Sequence, residues 1–402
     1  MGSYDVVVIG AGPAGATAAL ILARAGWSVA VVEKSPFPRR KVCGEFVSAA
    51  GIQLLHKLGI GGPFLALAGP AIRQVGLFAG SAILTADMPR AMDASDPYGR
   101  ASGREHLDAL ILAHAAEAGA EVRQPCEVTR IQASGQGYDC TVVAKGSGEI
   151  GTLRARGIIA AHGSSERGNL PTQTARCQQR ASDLFAFKAH FRNSSLTPDL
   201  MPLLVFPGGY GGMVRTDGNR VSLSCCIRRD YLARCRRQSP QNRAALAVFE
   251  HILASCRGAA DSLSHAELDG SWLSAGPIRP GIRPSWHDGI FSVGNAAGEA
   301  HPIIAEGISM AIQSAWLLCA QLIARGSALI AQQEMHAIGH DYAADWRSNF
   351  ARRIRAAAVF AHLAMRPATA ELALLLLKRV PAILTLGASL GGKAQPLNEQ
   401  LR

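Results

Sequence analysis

The stretch that decides the fold is Val-Val-Val-Ile-Gly-Ala-Gly-Pro-Ala-Gly, residues 6–15 of a chain of 402 residues. The β-branched run 5–9 is typical of a buried parallel strand. The Ala- and Leu-rich segment 14–25 predicts a helix, and the apolar run 28–32 predicts a second strand. A strand, a glycine turn, a helix and a strand within about thirty residues form a βαβ unit.

The glycine turn has the spacing of a dinucleotide site. Gly10 permits the tight turn, Gly12 lets the backbone approach a pyrophosphate, and Gly15 allows close packing of the helix on the strand. The helix that begins at Pro13 and Ala14 offers unpaired N–H groups and a positive dipole end to the phosphates. A GxGxxG alone is a weak signal, but the flanking strand and helix make it specific.

Glu33 lies 18 residues after Gly15, at the end of the second predicted strand. A carboxylate at this point can accept hydrogen bonds from the ribose hydroxyls of an adenosine, and it would repel a 2′-phosphate. We therefore expect an adenosine-containing dinucleotide without that phosphate.

Composition gives the broad class of the protein. Hydrophobic residues make up 48% of the chain and charged residues 18%, which excludes a disordered chain. The net charge of +11 suggests an anionic partner: a nucleotide, an anionic membrane surface or nucleic acid. The sequence has no basic motif interleaved with aromatic residues, so nucleic-acid binding is not expected. The nine cysteines form no CxxC pair, so no metal site is predicted and a reducing, cytoplasmic compartment is favoured.

Two uncharged stretches of 18 residues, 6–23 and 307–324, could be mistaken for membrane spans. The first contains the glycine turn and has no basic region before it, so a signal peptide is a poor interpretation. The second contains four polar side chains and has the lowest length that spans a bilayer. We expect it to be a buried core helix.

A second motif, Gly-Asn-Ala-Ala-Gly-Glu-Ala-His-Pro-Ile-Ile-Ala-Glu-Gly-Ile (294–308), resembles the pattern GDAAG…P…GEGI. That pattern belongs to flavoproteins that hold FAD in one Rossmann domain. They include aromatic and ubiquinone-pathway hydroxylases, geranylgeranyl reductases and flavin-dependent halogenases. Asn in place of Asp, followed later by His-Pro, is the form seen in ubiquinone-pathway hydroxylases. The resemblance implies FAD contacts for Gly294, Asn295, Pro302, Gly307 and Ile308.

The chemistry of this motif suits a flavin. The short polar side chain of Asn295 can hold a ribityl hydroxyl, and the helix from Gly307 directs N–H groups at the O2/N1 edge, where reduced flavin is negative. His301 could act as an acid or base near neutral pH, which makes it a candidate catalytic residue.

Two further stretches carry the same resemblance. In 102–108, Arg104 matches the arginine that reaches the FAD phosphates or ribityl chain, and Val128 stands where backbone groups hold adenine. The stretch 158–167 resembles A-D-G-x-x-S-x-x-R, which implies that Gly163 contacts FAD. His162 replaces the Asp that organises NAD(P)H use, so either NAD(P)H or a separate flavin reductase could be the electron source.

The segment 34–46 covers the place where the family brings a loop over the flavin. Arg39, Arg40 and Lys41 could neutralise the pyrophosphate, although a solvated basic loop is the alternative, above all for Arg39. Lys34 is also expected to contact the cofactor. Cys43-Gly44 matches the Cys-Gly that geranylgeranyl reductases place beside the isoalloxazine ring. Cys43 could act there in proton transfer, or it could be a small packed thiol.

Lys188 lies in an alternating strand, on the same face as Ala186 and His190. A lysine that faces a cavity could bind an anionic or carbonyl substrate, but the outer face is the expected position. The stretch 206–212 resembles the strand that lines the reductases' lipid pocket without the full order Y-x-W-x-F-P. The halogenase signature W-x-W-x-I-P is absent, which disfavours tryptophan-type halogenation.

The predicted fold class is α/β, a Rossmann-type FAD-binding domain with an inserted antiparallel sheet that binds the substrate and a helical C-terminal region. The segment 60–98 suggests strands of the second lobe, and a helix is expected at about 242–255. The predicted boundaries are 1–75, 100–180 and 287–325 for the FAD domain, 76–99 and 181–286 for the substrate domain, and 326–402 for the C-terminal region.

The leading functional hypothesis is an FAD-dependent monooxygenase that acts on a hydrophobic aromatic or quinone-like small molecule. The alternatives are a double-bond reductase or dehydrogenase on a lipophilic substrate, a halogenase, and a non-enzymatic FAD-bound assembly or sensor subunit. The basic, apolar C-terminal region could rest on an anionic membrane. A helix packed on the substrate lobe is favoured over that interpretation.

Overall fold

The computed structural model describes residues 2–92, 94–135, 137–164, 168–173, 178–326 and 332–393. The strands are β1 (Gly2–Ile9), β2 (Val29–Val32), β3 (Phe46–Val47), β4 (Gln74–Ala79), β5 (Ala82–Asp87), β6 (Arg100–Ala101), β7 (Glu121–Arg123), β8 (Cys126–Ser134), β9 (Gly137–Ala144), β10 (Ile150–Ala160), β11 (Leu184–Arg192), β12 (Leu200–Phe206), β13 (Gly209–Arg215), β14 (Val221–Arg228), β15 (Glu267–Ile278), β16 (Gly281–Ile282), β17 (Trp286–His287), β18 (Ile290–Ser292) and β19 (Gly298–Glu299). The helices are α1 (Pro13–Arg24), α2 (Ala49–Lys57), α3 (Gly61–Leu67), α4 (Arg104–Glu117), α5 (Arg229–Gln238), α6 (Ala244–Ser255), α7 (Arg257–Leu263), α8 (Gly307–Arg325), α9 (Gln332–Ala364), α10 (Pro367–Arg379) and α11 (Ala382–Leu390).

The first sheet has the parallel centre that the N-terminal motif predicts. Its order is β17-β18-β10-β1-β2-β7, and the pairs from β18 to β7 are parallel. Strands β8 and β9 extend it as an antiparallel meander from β10. The carboxyl ends of β1, β10 and β18 therefore lie side by side, which is where open α/β sheets bind ligands.

Helices α1, α4 and α8 cover one face of this sheet. Helix α8 is long and apolar enough to span a membrane, but 61% of its apolar stretch is buried inside the molecule. It packs on α1, α2 and α9, and Ile312, Leu318 and Leu322 are fully buried. The prediction that this segment is a core helix is confirmed.

The second sheet has the order β15-β11-β14-β13-β12-β4-β5. Neighbouring strands are antiparallel except for β12 and β4, which are parallel. Strands β4 and β5 come from an earlier segment of the chain and pair with the edge of the sheet at β12. Helices α5, α6 and α7 cover one face of the sheet, where Phe187, Leu204, Leu223 and Ile252 form a second core.

The sequence misassigned parts of this region. The segment 60–98 begins with helix α3 before its strands, because Phe64 is buried among α2 and α4 in the first core. The single helix expected at 242–255 is one of three, since α5 precedes it and α7 follows it. The α/β fold class itself is confirmed.

The C-terminal region is helical, as predicted, and its last helix ends at Leu390, while residues 327–331 and 394–402 lie outside the described residues. Tyr342, Trp346 and Phe350 of α9 pack into the core of the first sheet. Helix α11 contacts β4 and β5, so α9 to α11 cross from the first sheet to the second.

Candidate active site

The sequence motifs meet at the carboxyl edge of the first sheet. A Cβ added at Gly10, where φ is 102°, would lie 2.7 Å from the carbonyl oxygen of Ala161. A Cβ added at Gly294, where φ is 59°, would lie 2.9 Å from the Cβ of Ala14. Gly163 follows β10 at the same edge. The turns after β1, β10 and β18 therefore form one continuous surface.

Gly12 and Gly15 differ in what surrounds them. A Cβ at Gly15 would lie 1.9 Å from the carbonyl oxygen of Gly10, so close packing requires glycine there. Gly12 has extended backbone (φ −66°, ψ −178°), and a Cβ there would meet only the guanidinium of Arg104, at 3.8 Å. Gly12 thus leaves an open cradle at the N-terminus of α1, and Arg104 faces it.

Arg104 is a fixed buried cation at this cradle. Its Nε and its terminal nitrogen donate to the two oxygens of Asp108, at 2.7 and 2.6 Å. Burial alone would lower the pKa of Arg104, but the charge of Asp108 raises it, so the guanidinium stays charged. Lys41 is a second nearby cation, and burial together with Arg104 and Arg39 lowers its pKa to about 8.

Glu33 holds the glycine turn in place. Its buried carboxylate accepts hydrogen bonds from the backbone N–H of Ala11 at 2.8 Å and of Ser35 at 2.9 Å. Lys34 follows it at the same edge, and Val128 is buried in β8. The predicted ribose and adenine contacts of these residues stay predictions.

Arg40 has partners other than the pyrophosphate that the sequence predicted for it. It donates to the carbonyl oxygen of Asp269 at 2.9 Å, and its Nε lies 3.4 Å from Glu105. These acids draw the guanidinium towards the second sheet and α4. The contact of Arg40 with a cofactor stays a prediction.

The loop after Lys41 brings a buried carboxylate into the site. Glu45 is 0% exposed and has a left-handed backbone (φ 62°). Its carboxylate forms an ion pair with Lys188 and a 2.7 Å hydrogen bond with Nε2 of His190, and it accepts the N–H of Arg104 at 3.1 Å. Glu45 thereby joins the loop, α4 and strand β11.

Lys188 corrects one prediction. Its face of β11 is the one predicted, shared with Ala186 and His190, but it is not the outer face: Lys188 is 1% exposed. The loop around Glu45 covers that face, and the lysine Nζ also donates to the carbonyl oxygen of Lys41 at 3.3 Å. The ammonium is held by a carboxylate of the chain itself rather than presented to a substrate.

The surroundings of Glu45 lower its pKa and keep its carboxylate ionised. Burial alone would raise the pKa, but the hydrogen bond from His190 and the charge of Lys188 lower it to about 2.

The sequence analysis missed Glu45, although an acid directly after Cys43-Gly44 in a covering loop was a signal that could have singled it out.

A cavity of about 560 Å³ lies between the two sheets. At one end it reaches Cys43, Gly44, Asn295, Pro302 and Gly307, and Ile308 lies beside them. The rest of its wall is formed by apolar side chains of the second sheet and of the C-terminal helices, among them Leu77, Met201, Leu203, Leu377 and Leu384. The cofactor motifs therefore open directly onto an apolar chamber.

His301 lies in the wall of this chamber and is buried. Its Nδ1 is 3.1 Å from the hydroxyl of Tyr210, and its ring centroid is 5.7 Å from that of His362. Burial and His362 lower the pKa of His301 to about 4, and burial raises the pKa of Tyr210 well above its usual range. A neutral imidazole accepting from Tyr210 orients the wall but is a weak base near neutral pH.

We expect His301 to stay neutral from pH 8 to about pH 5. Its pKa in the folded state is below the ordinary 6.5, so folding favours the neutral ring and stability is lost as the pH falls from about 6.5 towards 4. An NMR titration of the ring signals, with the exposed His340 as reference signal, tests this. A midpoint near 6.5 for His301 would contradict it.

Glu299 is a second acid that the sequence analysis missed. It accepts from the hydroxyl of Ser164 at 2.6 Å and from the side-chain amide of Asn295 at 3.1 Å, and burial raises its pKa. It ties the third motif to the second and fixes the predicted flavin ligand Asn295. His162 contacts Gly163 and Thr172, whereas 165–167 of the third motif lie outside the described residues.

These residues fit FAD. The cradle at Gly12 would be filled by a single Cβ, it lies at a helix N-terminus, and a buried cation faces it, as a pyrophosphate requires. Pro302 and Gly307 are exposed at the start of α8 and line the chamber, where the ring of the cofactor would meet a substrate.

The chain is similar to several known flavoproteins. It is 25% identical over 332 residues to digeranylgeranylglycerophospholipid reductase 1 of Methanopyrus kandleri, which covers 77% of each chain. It is 51% identical over 59 residues to menaquinone reductase of Mycobacterium tuberculosis, which covers 15% of this chain and only 14% of the relative's length. The solved flavin-dependent brominase Bmp2 has a TM-score of 0.74 at 20% identity and covers 97% of this chain and 94% of its own.

Other solved proteins of this fold include halogenases, PqsL, which is described as a probable FAD-dependent monooxygenase, and a geranylgeranyl bacteriochlorophyll reductase-like protein. The sequence profile of the FAD binding domain family matches residues 3–336. The chain therefore belongs to the FAD binding domain family.

Proposed function

We propose that this protein reduces a carbon–carbon double bond in a long apolar substrate of the polyprenyl class. The observation that carries the proposal is the chamber of about 560 Å³, whose wall beyond the cofactor motifs is mostly apolar. A substrate held there is recognised by its apolar surface rather than by polar groups. The reductases of Methanopyrus kandleri and the menaquinone reductase support this class by similarity.

Cys43 and Arg104 provide the groups that such a reaction needs beside the cofactor. Reduced FAD, when bound, supplies the hydride that one carbon of the double bond accepts. The other carbon needs a proton, and the thiol of Cys43 lines the chamber at its cofactor end. Arg104 lies next to Cys43, so its charge would stabilise the thiolate that remains until solvent returns the proton.

The test is single-turnover oxidation of the reduced holoprotein without oxygen. With menaquinone or a geranylgeranyl lipid as acceptor, we expect Cys43→Ala to slow flavin reoxidation at least about a hundredfold, the usual contribution of a positioned acid. FAD content should not change. Cys126→Ala, a partly exposed thiol in β8, is the matched control and should behave as the wild type. Equal rates for Cys43→Ala and the wild type would contradict the role of Cys43.

A monooxygenase acting on an aromatic or quinone-like molecule is the second candidate. The sequence form Asn295…His301-Pro302 favours the monooxygenase, whereas the apolar wall of the chamber favours the reductase. The observation in its favour is the pair of Tyr210 and His301, the polar groups that could orient a hydroxyl or carbonyl of such a ring. Incorporation of ¹⁸O from ¹⁸O₂ into a product would favour this candidate over the reductase.

We also propose that NAD(P)H or a separate flavin reductase supplies the electrons. The replacement of Asp by His162 in the third motif favours the separate reductase. Anaerobic titration of the oxidised holoprotein with NADPH and NADH distinguishes the two sources, because direct use of either nucleotide bleaches the flavin absorbance without a second protein.

A further inference from the structure

Helix α10 carries apolar side chains on its outer face. Leu372, Leu375 and Leu376 are 70%, 61% and 55% exposed, and Arg379 completes the same face because the spacing is i, i+3, i+4, i+7. These four residues are the α10 face. Eight of the fifteen large apolar side chains that are exposed in the described part of the chain lie between 359 and 390. Such a concentration is unusual for a surface that faces only water.

The charge around the α10 face is positive. Residues 352–393 contain seven lysines and arginines, of which Arg353 and Lys393 are buried, but one acid, Glu371. Of these, Arg366 and Lys378 are exposed at the two ends of α10, next to the α10 face. An apolar helical face flanked by cations is complementary to an anionic lipid surface.

The opposite side of the same helix lines the substrate chamber. Ala370, Ala373 and Leu377 follow the spacing i, i+3, i+7 and form part of the chamber wall, and Leu376, at the edge of the α10 face, lines the chamber as well. Helix α10 is therefore a partition one helix thick between the chamber and the surface. A molecule that crosses this partition passes from an apolar exterior into an apolar interior.

We propose that the α10 face docks on an anionic lipid bilayer and that α10 is the entrance through which a lipid substrate reaches the chamber. The exposed leucines and the charges support the docking, whereas the role of α10 as an entrance depends on the proposed function. A second copy of the chain is a poor occupant, because a symmetric contact would place this basic surface against itself. An anionic bilayer neutralises the same charges.

Flotation of the holoprotein with vesicles tests the docking. We expect it to bind vesicles of equal parts phosphatidylcholine and phosphatidylglycerol, and to bind pure phosphatidylcholine at least about tenfold more weakly. Leu372→Ser with Leu375→Ser should lower binding to the anionic vesicles about tenfold or more, and so should Lys378→Glu with Arg379→Glu.

The matched control is Arg236→Glu with Arg237→Glu, two exposed cations of α5, which should leave vesicle binding unchanged. Flavin absorbance and the unfolding midpoint confirm that each variant is folded. Failure of the wild type to float with anionic vesicles would overturn the proposal. It would also be overturned by an equal loss in the α5 variant, or by a dimer in sedimentation that Leu372→Ser with Leu375→Ser dissolves.

Two acceptors, one soluble and one in vesicles, test the role of α10 as an entrance separately from the proposed reaction. The leucine variant should reduce a short, water-soluble prenyl acceptor at the wild-type rate and reduce the long acceptor in vesicles at least about tenfold more slowly. Equal rates for both acceptors would overturn the entrance. Failure of the wild type with the soluble acceptor would instead count against the proposed reaction.

Discussion

Gly12→Ala should weaken FAD binding at least about a hundredfold and leave the fold intact. The backbone of Gly12 is in an extended conformation that any residue adopts, and the new Cβ would meet only Arg104, at 3.8 Å. The methyl group would nevertheless fill the cradle and hold the pyrophosphate away from the N–H groups of α1. The loss of two charge-assisted hydrogen bonds would weaken FAD binding at least about a hundredfold. Titration of the apoprotein with FAD, followed by flavin fluorescence, measures this.

Gly15→Ala is the matched control for this change, and it should destabilise the fold that Gly12→Ala leaves intact. Its Cβ would lie 1.9 Å from the carbonyl oxygen of Gly10, so α1 must move away from β1. We expect a loss of folding free energy of about 1–3 kcal/mol, as for other overpacked cores. If Gly12→Ala bound FAD with the affinity of the wild type, the cradle would not be the pyrophosphate site.

Glu45→Ala should destabilise the protein by about 3–5 kcal/mol, because it leaves Lys188 buried without a counter-charge. The bond to His190 is lost at the same time. Because Glu45 also joins the loop to strand β11, Cys43 should lose its fixed position, and flavin reoxidation by the acceptor should slow. Equilibrium unfolding in urea at neutral pH measures the first effect.

Removal of both charges separates the ion pair from the packing. The double variant Glu45→Leu with Lys188→Met removes both members of the Lys188–Glu45 ion pair, so we expect stability to return most of the way to the wild type. A double variant as unstable as Glu45→Ala would show that the ion pair is not the reason for the loss.

The pH dependence of stability follows from the same carboxylate. Glu45 has a folded pKa of about 2, below its ordinary 4.5. Its contribution is fully present above pH about 4.5 and is lost as the pH falls through about 2. The difference in unfolding free energy between the wild type and Glu45→Gln should therefore be constant above about pH 5 and shrink below it. A difference that grows on acidification would contradict this assignment.

The parts of the site that the sequence predicts are those encoded by local geometry. The left-handed backbone of Gly10 and of Gly294, and the close approach of Gly15 to the carbonyl oxygen of Gly10, are local reasons for glycine. The pairing of parallel strands then brings these turns together, because their strands end at one edge. A sequence motif can therefore indicate the cofactor site without any knowledge of distant contacts.

The residues that the sequence misplaced depend on distant contacts. Lys188 and Glu45 are 143 positions apart, and only the loop that covers β11 turns that face into an interior. Arg40 likewise meets Asp269 across 229 positions, a contact that the sequence did not predict. Alternation along a strand gives the face of a side chain but not what covers that face.

The apolar chamber also depends on elements far apart in the chain. Its wall combines β4 and β12, the turn after β18 and helices α9 to α11, which lie up to about three hundred residues apart. Each is an ordinary amphipathic element in the sequence, so the size and apolarity of the enclosed space could not be predicted.

The account's central claim, that reduced FAD passes its electrons to a double bond in this chamber, is tested most directly by the mass of the product. The reduced holoprotein is mixed with a geranylgeranyl lipid in ²H₂O without oxygen, and the product is analysed by mass spectrometry. We predict reoxidation of the flavin and the addition of two hydrogens across one double bond, both of them deuterium, because the N–H hydrogen that reduced FAD would donate and the thiol proton of Cys43 both exchange with the solvent. A flavin that stays reduced until ¹⁸O₂ is admitted, and a product that then contains ¹⁸O, would contradict the account.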